Sequence, residues 1–215
     1  MQNSRMRNRL LRTIPALLEN RRLILTRLSI FKDIFFVAGK SVIGIIPLSF
    51  FMFANALYSA GLGLARFVAV KMHTQTRKKQ LTGYRQVGII ISVTGICYVL
   101  YSARLFFGGK TGTYSLYVAL VIALYTFVEF GINIREAFRL RRSEALDARA
   151  LRAISFASTL ICFVLTQTAI LSFTAEGDTR IFNAIAGVTF GSLAASIGLY
   201  VIADSVRRQR ASIPE

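Results

Sequence analysis

Glu129 is the one charge in a largely apolar run, EFGINI preceded by LYVALVIALYTFV, and a carboxylate there must do something specific. At membrane depth it has to face protein, take a cationic partner or hold a proton. Few other side chains in the sequence raise the same demand. Arg27, Lys32 and Asp33 interrupt ENRRLILTRLSIFKDIFFVAGKS, residues 19–41. Asn55 sits in the middle of an uncharged run, and Gln167, Thr168 and Asn183 fall nearer the opposite ends of theirs. Arg27, Lys32, Asp33, Asn55, Glu129 and Gln167 are therefore the candidate lining of a polar pathway for a small solute or ion. The plainer reading is hydrogen bonding between helices, about 0.6 kcal/mol per pair. Arg27 and Glu129 lie at matching depth if both segments cross, which predicts an ion pair between them. Arg66, Arg104 and Lys40 stand near helix ends, where a long side chain reaches the headgroups, and are expected to snorkel.

Other chemistries find little support. His73 is the single histidine, and Cys97 and Cys162 are far apart in apolar runs, so no metal or haem site is expected. GGKTG (108–112) and AGKS (38–41) lack the full spacing of a phosphate-binding loop. No Ser/His/Asp set or pair of catalytic carboxylates shares one depth. An enzyme is disfavoured, and no cofactor is expected.

The elements that must position these residues are membrane helices. The chain is 54% hydrophobic and carries a net charge of +17, a combination foreign to soluble domains of 215 residues. Residues 42–65 contain no charge, and about twenty apolar residues span a hydrocarbon core. Further spans read at 86–107, 113–134, 151–173 and 181–203. The intervening segments alternate in charge. Residues 71–85, 135–152 and the tail from 204 to 215 are rich in Arg and Lys, whereas 107–114 and 173–180 are not. The positive-inside rule places the first set in the cytoplasm. The basic segment 1–22 belongs on the same side, which requires residues 19–41 to cross.

Internal similarity supports that crossing. ICYVL (96–100) recurs as ICFVL (161–165), ALYS (56–59) echoes ALYT (123–126), and FVAGKS (36–41) resembles FFGGKT (106–111). Gly63, Gly131 and Gly198 recur before basic exits, at a period of roughly 67 residues. The expected fold is all-α: a polytopic helical integral membrane protein of three tandem helical hairpins, about six membrane helices. These are hairpin 1 (19–70), hairpin 2 (86–134) and hairpin 3 (151–203), preceded by a basic amphipathic segment over 1–18 and followed by a tail (204–215). Both termini are expected in the cytoplasm, in a plasma or inner membrane.

Gly187, Gly191 and Gly198, with Ala184 and Ala195, form a small-residue stripe suited to close helix packing, within the chain or between copies. The expected partners are the bilayer, anionic headgroups met by cytoplasmic Arg and Lys, and a homo-oligomer or larger membrane complex. The basic residues sit in short juxtamembrane loops, so nucleic acid is not expected. The leading functional expectation is a transporter or channel. The alternative is a non-catalytic accessory subunit of a membrane complex.

Overall fold

The computed structural model describes residues 50–108, 116–174 and 177–211. The expectations for 1–18 and 19–41, including Arg27, Lys32 and Asp33, lie outside these residues.

Five helices appear in chain order, with no strand among the described residues: α1 (Phe50–Met72), α2 (Arg77–Ala103), α3 (Leu116–Arg139), α4 (Leu146–Thr174) and α5 (Arg180–Arg210). A 3-10 turn, Arg104–Phe107, extends α2. Gly108 ends it at φ 92°, a left-handed conformation that a side chain would resist. Extended α2, α3, α4 and α5 are each long and apolar enough to cross a membrane. The helices also outrun the apolar spans read from sequence. α2 begins at Arg77 rather than 86, α3 continues past 134 to Arg139, and α5 runs through Arg207 and Arg208 to Arg210. Hydropathy locates only the part that suits hydrocarbon. Hydrogen-bonded helix continues into the polar interface, where basic residues at a C-terminus also meet the helix dipole favourably.

Short turns connect the basic ends. His73 to Thr76 joins α1 to α2, with the Gln75 N–H donating to the Met72 carbonyl at 3.0 Å. Leu140 to Ala145 joins α3 to α4. All five basic helix ends gather at one end of the bundle and are tied together there. His73 Nδ1 lies 2.7 Å from Asp147 Oδ2. The Tyr84 hydroxyl donates to Asp204 at 3.2 Å, and Arg208 Nε donates to the same oxygen at 2.9 Å. Arg152 donates to the Arg141 carbonyl at 2.9 Å.

Sequence neighbours are not always packing neighbours. α2 and α3 follow one another across the far end, yet they make no contact. The closest pairs are α2 with α5 and α3 with α4, both antiparallel; α1 lies against α2 and α4. The small-residue stripe of α5 faces α2. A Cβ on Gly198 would stand 2.5 Å from the Ser92 nitrogen and 2.6 Å from the Gly88 oxygen. A Cβ on Gly95 would stand 2.8 Å from the Ala195 nitrogen. Backbone therefore touches backbone along this pair, and the Ser92 hydroxyl donates to the Ala195 carbonyl at 3.3 Å. The other glycines of the 67-residue period behave differently: Gly63 and Gly131 have nothing within 4 Å of a would-be Cβ.

The core gathers on α4, whose Ile154, Ile161, Val164 and Leu165 are buried against Tyr58, Ala65, Ile91 and Tyr98. Outward faces carry exposed Leu100, Phe107, Tyr117, Leu124, Phe127 and Tyr200, as a lipid-facing surface requires.

Candidate functional site: a polar seam between α3 and α4

Thr126, Glu129, Asn133 and Glu136 recur at three- and four-residue spacing, so they share one face of α3. That face meets the face of α4 that carries Ser155, Ser158 and Thr166. The contacts run in order along the interface. Thr126 Oγ1 and Thr166 Oγ1 are 2.9 Å apart, and each also lies 2.9 Å from a carbonyl oxygen of its own helix, that of Ile122 and of Cys162; one hydroxyl donates across to the other, which donates back to its own helix. Asn133 Nδ2 donates to Ser158 Oγ at 2.8 Å. Ser155 Oγ donates to Glu136 Oε2 at 2.8 Å.

α1 contributes the cation. Arg66 Nη1 lies 2.8 Å from Glu136 Oε2, and Nη2 lies 3.5 Å from Ser155 Oγ. Arg66 is only 2% exposed and Glu136 11%. The expectation that Arg66 snorkels is thus corrected. Its planar guanidinium finds a carboxylate and a hydroxyl inside the bundle, and hydrogen bonds to both offset its desolvation. Glu136 lies about 4.5 Å from the end of α3 at Arg139 and Arg66 about 9 Å from the end of α1 at Met72, at 1.5 Å per residue, so the pair is buried toward the basic end of the bundle.

Glu129 occupies the middle of the seam, 5% exposed. Because α3 runs to Arg139, Glu129 is roughly 15 Å from the helix end, deeper than an α3 ending at 134 would put it. Tyr125 lies within electrostatic reach of Glu129 and of Cys162 on α4. Asn55 is fully buried on α1, beside Tyr98 of α2. It is not brought to Glu129 through helix packing, since α1 and α3 do not pack on each other. Gln167 is half-buried on α4, while its neighbour Thr168 donates to Asn183 Oδ1 at 3.1 Å and joins α4 to α5. Gly187, Gly191 and Gly198 lie between α5 and α2, away from the seam.

Glu136, Asn133 and Ser155 are not among the candidates that the sequence offers. A span that ends at 134 puts Glu136 in a basic loop, and only its i+7 spacing from Glu129, with Asn133 at i+4, signals that it shares that face.

The arrangement sets carboxylate, amide and hydroxyl groups in a buried line between two helices, and its hydrogen bonds bind those helices to one another. The sequence matches no protein-family model and no characterised protein.

Proposed function

We propose that this chain is a small integral membrane protein that moves a small solute or ion along the α3–α4 seam. The observation that carries this reading is Glu129. It is buried in the middle of a line of hydroxyl, amide and carboxylate groups between two helices of membrane length. In this reading residues 19–41 cross the membrane as well, completing six helices in three tandem repeats. Both termini then lie on the basic, cytoplasmic side, where Arg and Lys meet anionic headgroups worth about 1 kcal/mol each. Residues 1–18 lie along that surface as an amphipathic segment.

The test is reconstitution into liposomes loaded with proton-, Na⁺- or K⁺-sensitive dyes. Flux above that of empty liposomes is expected, with its loss in Glu129→Gln while the protein stays monodisperse. Identical traces for wild type and empty liposomes count against cation transport.

A second reading is a non-catalytic accessory subunit of a larger membrane complex. It is favoured by α3, which among the described helices packs on α4 alone and presents exposed Val121, Leu124, Phe127 and Val128. There, Glu129→Gln alters the native mass of the assembly in mild detergent and leaves flux at the level of empty liposomes.

A further inference from the structure

α2 and α5 run antiparallel, and at the basic end the Ser205 hydroxyl donates to the Leu81 carbonyl at 3.2 Å. That register brings Arg210 about level with Lys78. Lys78, Arg85, Ile89 and Ile96 follow at seven-, four- and seven-residue spacing, so they share one face of α2, and all four are exposed. Arg210, Ala203 and Leu199 share an exposed face of α5 in the same way. α4 covers the opposite side of this helix pair, where Arg149 Nη1 lies 3.8 Å from Asp204 Oδ2. The two exposed faces therefore adjoin on the side turned away from α4.

Charge on that side has one sign. Among the described residues no carboxylate forms an ion pair with Lys78, Arg85 or Arg210. Asp204 is the only acidic residue on either helix, and it accepts from Tyr84 and Arg208 instead. Lys78 and Arg85 stand about 10 Å apart along α2, within the combined reach of two long side chains. Apolar side chains take over directly below them. Ile89 lies about 6 Å deeper than Arg85, and Ile96 about 10 Å deeper again. Leu199 lines the α5 side of this track, about 17 Å from Arg210. The helices meet through backbone at Gly88 and Gly198, which leaves the flanking side chains to form the surface.

We infer that this side of the α2–α5 pair binds one anionic phospholipid, its phosphate on Lys78, Arg85 and Arg210 and an acyl chain along Ile89, Ile96 and Leu199. The site rests on the reading that the basic end faces the cytoplasm, and it concentrates a diffuse attraction for headgroups at one place. Two observations favour this occupant. Three cations from two helices share a surface that holds no carboxylate for them, which is complementary to an anion. The apolar track continues from those cations toward the hydrocarbon layer, as a headgroup with its chain requires and a soluble phosphate does not. Orientation in the membrane asks only that basic residues flank the spans. It does not ask that they sit on one face above exposed apolar side chains.

Lipid retention by the purified full-length protein tests the site. The probes are phosphatidylglycerol, phosphatidylcholine and glycerol phosphate, a headgroup without chains, each titrated in mild detergent and counted by native mass spectrometry. Saturable binding of one phosphatidylglycerol per chain is expected, in preference to phosphatidylcholine. Lys78→Gln/Arg85→Gln/Arg210→Gln is expected to weaken it by at least about tenfold. Arg139→Gln/Arg141→Gln/Arg142→Gln removes the same charge from the end of α3 and is expected to leave it unchanged. All six positions are exposed, and melting temperatures equal to wild type check that both variants fold. Equal losses in the two variants would show diffuse attraction and overturn the site. So would equal retention of the two lipids. Displacement of phosphatidylglycerol by an equal concentration of glycerol phosphate would assign the cations to a soluble phosphate and overturn the lipid. Orientation is read separately, by labelling Thr76→Cys with a membrane-impermeant reagent in sealed vesicles of each sidedness. Labelling from the cytoplasmic side without saturable lipid binding removes the site and leaves the orientation standing. Labelling from the opposite side removes the orientation, and the inference with it.

Discussion

Arg66 Nη1 and Glu136 Oε2 lie 2.8 Å apart, joining α1 to α3 although those helices do not otherwise pack. Ser155 of α4 donates to the same carboxylate oxygen, so three helices converge on one charge. Replacing one member strands the other in a low-dielectric layer. Arg66→Ala or Glu136→Ala is expected to cost about 3–5 kcal/mol, whereas an apolar replacement of both is expected to be nearly neutral. Thermal or denaturant unfolding in detergent reads the difference. A double variant as unstable as either single would show that the pair does more than neutralise itself.

The α2–α5 contact makes a sharper packing prediction. Gly198→Ala places a methyl 2.6 Å from the Gly88 carbonyl, and the two backbones must separate. A loss of about 1–3 kcal/mol is expected, as for other overpacked contacts. Gly131→Ala meets nothing within 4 Å and removes a helix-interior glycine. It is expected to be neutral or stabilising by up to about 1 kcal/mol. Melting temperatures of the two purified variants, compared side by side, check the contrast.

Along the seam, Asn133→Ala and Ser158→Ala are expected to be coupled, because each removes the partner of the other. A double-mutant cycle should return about 0.6 kcal/mol, the usual size of such a bond between membrane helices. Additive effects would mean that the bond contributes nothing net.

At the far end, Asp178 precedes α5 and accepts from the Arg180 backbone N–H at 3.0 Å and from its Nε at 2.6 Å. The Arg180 side chain, then its N–H, hold the Asp178 carboxyl below its usual range. A carboxyl whose pKa is lower when folded adds stability above its unfolded pKa and loses it as pH falls through the folded value. Asp178→Asn should therefore remove a small, acid-sensitive increment, measurable as a flatter dependence of melting temperature on pH below about 4. Because the site is exposed, salt should shrink the effect.

How much of this was legible in the sequence varies by residue. Glu129 and Asn55 stood out because a polar side chain in an apolar run is a local anomaly, and both are buried. Arg66 and Glu136 did not, because each lies near the edge of an apolar run, where a solvated or snorkelling side chain is the ordinary outcome. Only their proximity makes them a pair.

The sequence by itself determined that the chain builds apolar helices of membrane length with their basic ends together. Both properties are local: transfer of apolar surface sets the spans, and charge flanks set the ends. Tertiary structure alone decided that α2 packs on α5 rather than on α3. It also turned the α5 glycines inward and drew Arg66 into the bundle. Those outcomes depend on which surfaces allow backbones to touch and which polar groups meet across helices. Residues far apart in the chain control both, and no periodicity within one segment encodes them.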